Sequence, residues 1–157
     1  MALVAPVSRT TIFVRDMARA KAFYCDLLGL TAMLENVIPN PGASQILGQP
    51  CEGLHICILR AADTTIGNIG LAAVIGADPP LEERKIPDGV ALGDACLVIR
   101  TDHLRELLPK LRVFPGVRIL SEPTHLVLPI PDEVWEMFLR DPDGTMINLS
   151  YHGAYNR

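Results

Sequence analysis

The chain has 157 residues, 49% hydrophobic and 20% charged, with a formal charge of −4. That length fits one globular domain, or two small modules sharing a core, and the apolar content builds a core without disulfides or metals. The negative charge and the absence of a Lys/Arg cluster exclude a nucleic-acid footprint. The start, Met-Ala-Leu-Val-Ala-Pro, shows no secretory signal. The longest apolar stretch, around Ile69 to Ala77, is too short to span a bilayer. Cys25, Cys51, Cys57 and Cys96 show no Cys-x-x-Cys spacing and read as free thiols. The expectation is a soluble cytoplasmic protein.

Residues 1–8 form a lead-in, and a strand is predicted over 9–15. Asp16 then caps a helix whose apolar residues Met17, Ala20, Phe23, Tyr24, Leu27 and Leu28 step by three and four, with Gly29 as its stop. Residues 30–37 read as a strand. Pro39-Asn40-Pro41-Gly42 opens a long loop. Strands are predicted over 53–60 and 66–75, with a turn at Asp63-Thr64-Thr65 between them. Residues 77–92 are punctuated by Pro79, Pro80, Pro87 and Gly89 and read as a linker or exposed flap. A strand over 94–100 leads to Thr101-Asp102, which can cap a short helix with Leu104, Leu107, Leu108 and Leu111 inward. Pro109 should kink or shorten it. Strands follow over 117–121, 124–129, 133–140 and 145–151.

The hairpin joining the last two strands is Phe138-Leu139-Arg140-Asp141-Pro142-Asp143-Gly144-Thr145-Met146-Ile147-Asn148-Leu149. Pro142 fixes φ, the aspartates hydrogen-bond their own backbone, and Gly144 supplies a positive φ. With the opening strand and the helix ending Phe23-Tyr24…Leu27-Leu28-Gly29-Leu30, this hairpin resembles the vicinal oxygen chelate superfamily. That group includes glyoxalase I, extradiol dioxygenases, and the bleomycin- and fosfomycin-resistance proteins. The resemblance implies an α+β fold of two paired βαβββ modules, about 9–76 and 93–152, in one glyoxalase-like domain spanning 1–157. The modules form a cupped mixed β-sheet with helices outside and a ligand in the cup. It also implies a homodimer.

Strand alternation sorts side chains between the two faces. It places Arg9, Thr11 and Phe13 toward the cup, and His55 and Cys57 with them, leaving Ile56 and Ile58 on the helix side. In the second module Asp94, Cys96 and Val98 share a face, as do Glu136, Phe138 and Arg140, and Met146, Asn148 and Ser150. The metal-dependent relatives use His and Glu ligands. Carried over by resemblance, those positions fall on Arg9, Gly70, Cys96 (or Asp94) and Asn148. Guanidinium offers only donors, glycine has no side chain, and asparagine is a weak ligand, so a divalent metal is disfavoured and no cofactor is expected.

Arginine in place of a ligand points instead to an anion held in the cup. The alternative is an ion pair of Arg9 with Glu136 or Asp94, or a guanidinium pointing to solvent. His55 and Glu136 are the candidate acid/base groups. His55 could equally be a hydrogen-bonded structural residue, and Glu136 could pair with Arg140. Phe13, Cys96, Phe138, Arg140 and Asn148 complete the candidate ligand contacts, with packing as the alternative role for Cys57 and Cys96. The functional expectation is binding of a small organic anion with a proton-transfer step of isomerase or lyase type. The alternatives are non-catalytic sequestration, as in bleomycin resistance, and a metal-dependent dioxygenase or glyoxalase with unusual ligands.

Overall fold

The computed structural model describes residues 6–61, 64 and 66–154. The expected turn at 63–65 falls mostly outside them, as does Tyr155. The chain divides into two compact units, the first running to Arg84 and the second starting at Lys85.

The first unit begins with β1 (Arg9–Phe13) and α1 (Met17–Lys21). The Asp16 side chain accepts from the Arg19 N–H at 3.0 Å, satisfying one orphan donor of the first turn. The helix continues as a π-helical stretch, Ala22–Leu27, and Gly29 follows at φ 81°. Its inner side buries Met17, Ala20, Phe23 and Tyr24, the two rings edge to face at 4.9 Å. Next come β2 (Thr31–Pro39), α2 (Gly42–Leu47), β3 (Gly53–Arg60) and β4 (Asn68–Ile75). The sheet order is β1-β4-β3-β2, with β1 parallel to β4 and the other pairs antiparallel.

The long loop expected after Pro39 is instead interrupted by α2. Ala43 is fully buried against Leu54 and Ala72, with Leu47, Ile38, Ile56 and Val74 around them. Gly48 closes the helix at φ 69°. Tertiary burial stabilises a six-residue helix, set between Pro41 and Gly48, that is too short to be stable by itself.

The second unit contains β5 (Cys96–Arg100), α3 (Leu104–Val113), β6 (Arg118–Ile119), β7 (Thr124–Leu126), β8 (Val134–Arg140) and β9 (Met146–His152). Its order is β5-β9-β8-β6, with β7 also on β8, and β5 is parallel to β9. In both units the first strand pairs with the last, the last with the one before it, and that one with the second, which is the expected repeat. Among the described residues, nine strands in two sheets with few helices make an α+β fold.

Pro109 lies inside α3 without ending it, and the helix runs on to Val113 with Leu104 and Leu111 buried. His103 is its N-cap, and Thr101 Oγ1 accepts from the His103 N–H at 3.0 Å. In the β8–β9 hairpin, Asp141 Oδ1 accepts from the N–H groups of Asp143 (3.0 Å) and Thr145 (2.7 Å), and Gly144 stands at φ 90°.

Residues 76–95 contain no helix or strand. Their later part is not a loose flap, because it is tied into the second unit. Arg140 donates to the Gly89 carbonyl (2.7 Å) and to Asp94 Oδ2 (2.8 Å), and Arg118 donates to Asp88 (3.2 Å) and to the Pro87 carbonyl. Ile86 lies where a side chain on Gly144 would have to go. Among the described residues, no helix is long and apolar enough to cross a membrane.

Candidate functional site

In the first unit, register divides the sheet into two faces. Ile12 stands beside Leu71, and Leu71 beside Cys57; these residues, with Val14 and Leu59, are buried on the face that α1 covers. Lys21 at the end of α1 donates to Glu35 Oε2 at 2.6 Å, and His55 Nε2 lies 2.9 Å from Glu35 Oε1. His55 and Cys57 therefore lie on the helix-covered face and not with Arg9, while Ile56 and Ile58 lie on the opposite one. The sequence assignment of β3 is reversed. It treated the polar His55 as a marker of the open face, whereas Cys57 packs as a small apolar residue with no exposed surface, and Glu35 satisfies His55 in place. The Lys21 hydrogen bond holds the Glu35 carboxyl below the usual range, opposed by burial and aided by His55. The Glu35 hydrogen bond raises Lys21, against a lowering effect of burial. Burial pushes the Cys25 and Cys57 thiols up.

The opposite face is built in rows. Arg9 stands beside Asn68; extending the β3–β4 ladder one step past Leu59↔Ile69 sets Arg60 on the far side of Asn68, and Thr31 pairs with Arg60. The next row is Thr11, Gly70, Ile58 and Leu34, and the third is Phe13, Ala72, Ile56 and Asn36. Beyond it α2 covers Leu54, Val74 and Ile38. The open end thus presents Arg9, Thr11 and Phe13, as expected, with Phe13 55% and Leu34 50% exposed. Gly70 lies at its centre with the Thr11 side chain closed over it: a Cβ there would stand 2.7 Å from Thr11 Oγ1 and 3.5 Å from the Arg9 side chain. Arg60 was missed by the sequence argument. Its signal was two-residue alternation with Ile56 and Ile58, obscured by the reversed assignment of β3.

In the second unit, the pairing gathers Cys96, Val98 and Arg100 (β5), Met146, Asn148 and Ser150 (β9), and Glu136, Phe138 and Arg140 (β8) onto one face. This is the grouping read from alternation. Asn148, 3% exposed, donates from Nδ2 to Glu136 Oε2 at 2.7 Å, and its Oδ1 is buried with no partner among the described residues. Arg140 does not pair with Glu136. It is 2% exposed and bonded to Asp94 and to the carbonyls of Gly89 and Gly144, which makes it a structural cation, unavailable as a ligand contact. Burial raises the Cys96 thiol against a lowering hydrogen bond from the Asn148 backbone, so no thiolate is favoured there. The His125 ring lies 5.0 Å from the Trp135 ring at a tilt of 37°, and His103 lies exposed 3.4 Å from Glu106.

The positions that the resemblance assigns to metal ligands do not fit a His/Glu set. Arg9 has no lone pair to give, Gly70 no side chain, an Asp94 oxygen is held by Arg140, and the Asn148 amide is bonded to Glu136. Among the described residues, no three His, Cys, Asp or Glu side chains cluster as a cation site.

A model of the Glyoxalase/Bleomycin resistance protein/Dioxygenase superfamily matches residues 7–149, and the chain belongs to that superfamily. Similar solved structures carry the same fold. A glyoxalase family protein from Bacillus cereus has a TM-score of 0.75 at 19% identity, covering 98% of this chain and 99% of that one. A glyoxalase/bleomycin resistance protein/dioxygenase family enzyme from Burkholderia phytofirmans gives 0.57 at 18% identity, over 94% and 98%. The fosfomycin resistance protein of Listeria monocytogenes, complexed with Mn(II) and 1S,2S-dihydroxypropylphosphonic acid, gives 0.57 at 12% identity, over 98% and 96%. No curated protein sequence matches the chain at a significant level.

Proposed function

We propose that this protein binds a small organic anion on the open face of its first unit, with Arg9 supplying the charge. The observation that supports this reading is an exposed guanidinium with no carboxylate partner among the described residues, beside the Thr11 hydroxyl, Gly70 and exposed Phe13. Guanidinium favours oxyanions through paired N–H donors, and Phe13 and Ile58 offer an apolar bed to the rest of the ligand. Within the second unit, Glu136, half-buried and hydrogen-bonded by Asn148, is the acid/base group suited to a proton-transfer step of isomerase or lyase type. His55 is left out because it faces α1. Non-catalytic sequestration is the second reading. It is favoured by the composition of the first unit's open face, whose strand positions include no His, Asp or Glu.

Titration calorimetry with short aliphatic and aromatic carboxylates tests the binding. Arg9→Gln should weaken it by about tenfold or more, and His55→Gln should leave it unchanged. Equal affinity of the Arg9 variant and the parent protein ends the reading. Solvent deuterium entering a bound ligand then separates the two versions. Exchange lost in Glu136→Gln with affinity retained supports catalysis, and no exchange in the parent protein supports sequestration.

A further inference from the structure

We propose that the anion recognised by the first unit is doubly charged at one group, a phosphoryl or phosphonyl oxyanion, and that Arg9 and Arg60 hold it together. This deepens the anion-binding reading and rests on it. Arg9 and Arg60 flank Asn68 on the same face, two strands apart. Strands lie about 5 Å apart, so the two Cα atoms are about 10 Å apart, within reach of two arginine side chains meeting over one group. The ladder sets Asn68 between them, and Thr11 with Gly70 stands in the next row.

The charge distribution carries the argument. Five basic side chains meet a carboxylate: Arg15 with Glu83, Lys21 with Glu35, Arg112 with Glu122, Arg118 with Asp88, and Arg140 with Asp94. Arg9 and Arg60 meet none among the described residues. The strand positions of their face, from Thr31 to Val74, include no aspartate or glutamate. Arg60 is half-buried, which removes part of its hydration without a protein anion in compensation. Two like charges on one face repel, and a carboxylate neutralises only one of them. A tetrahedral dianion offers three oxygens and neutralises both, with bidentate geometry available to each guanidinium. Gly70 lets Thr11 and the Arg9 stem close over the strand: a side chain there would displace the Thr11 hydroxyl from its place beside Arg9.

The test compares benzoate with phenylphosphonate at pH 8, one apolar body carrying one or two charges, and includes inorganic phosphate alone. The parent protein should bind phenylphosphonate about tenfold or more tighter than benzoate. Arg60→Gln should erase most of that preference while benzoate affinity changes little, and Arg60→Lys should restore part of it. Circular dichroism checks that both variants are folded. Equal affinity for the two probes, or a preference that survives Arg60→Gln, overturns the two-arginine clamp and leaves single-charge binding at Arg9 standing. Failure of every anion to bind overturns the underlying reading as well.

Discussion

Arg140 encloses a guanidinium in the second unit and uses it to tether Gly89 and Asp94 to the β8–β9 hairpin. Removing one partner of a buried pair leaves the other charge uncompensated, so Arg140→Leu should destabilise the protein by about 3–5 kcal/mol in chemical denaturation. Asp94→Asn should cost less, because the two carbonyl acceptors remain. The Lys21–Glu35–His55 set acts through pH. Glu35 is held below its ordinary value of 4.5 in the folded chain, so its contribution is present above that value and is lost as pH falls through the folded pKa. Glu35→Gln should flatten the acid limb of a stability–pH curve below about pH 5 and leave the neutral region little changed; an unchanged acid limb would count against the pairing. Alternation read correctly for Arg9, Phe13, Glu136, Phe138 and Asn148, because each neighbours residues of clear polarity. It failed at His55 and Cys57. There the polar residue is satisfied locally by Glu35 from a neighbouring strand, and no single-strand pattern records a cross-strand partner.

Among the elements, strands and the first helix were legible because their signals are local: the Asp16 cap, the three-and-four spacing, the Gly29 stop and the Asp141-Pro142-Asp143-Gly144 turn. The π-helical widening over Ala22–Leu27 leaves that spacing readable and was not anticipated. α2 was invisible because its stability lies in the packing of Ala43 and Leu47 on strands distant in sequence. Ala43 has no exposed surface, so Ala43→Leu should overpack the contact and cost about 1–3 kcal/mol. α3 carries Pro109 at a position where proline removes an intrahelical hydrogen bond. The helix persists because Leu104 and Leu111 are buried on either side of it. Pro109→Ala should therefore stabilise the protein, by up to about 3 kcal/mol, read as a shift in the denaturation midpoint.

For the whole molecule, the repeat of strand order carries the superfamily fold, and the order of predicted elements showed it where residue identities did not. The junction between units lies at Arg84 and Lys85, both exposed, inside the proline-punctuated stretch expected to be a linker. Limited trypsin digestion should cut there before the later, tethered residues are lost. The chain carries a net −4, yet the open face of the first unit holds two arginines and no acid. Charge of one sign concentrated against the average of the molecule makes thermal stability depend on the solution it is measured in. An oxyanion held only by the folded state adds about 1.4 kcal/mol when present at ten times its dissociation constant. Melting temperatures taken in phosphate and in a zwitterionic amine buffer of equal ionic strength should then differ, with phosphate the higher. If the proposed binding holds, the choice of buffer becomes part of the sample's composition, and a protein purified in phosphate would enter an affinity assay with its face already occupied.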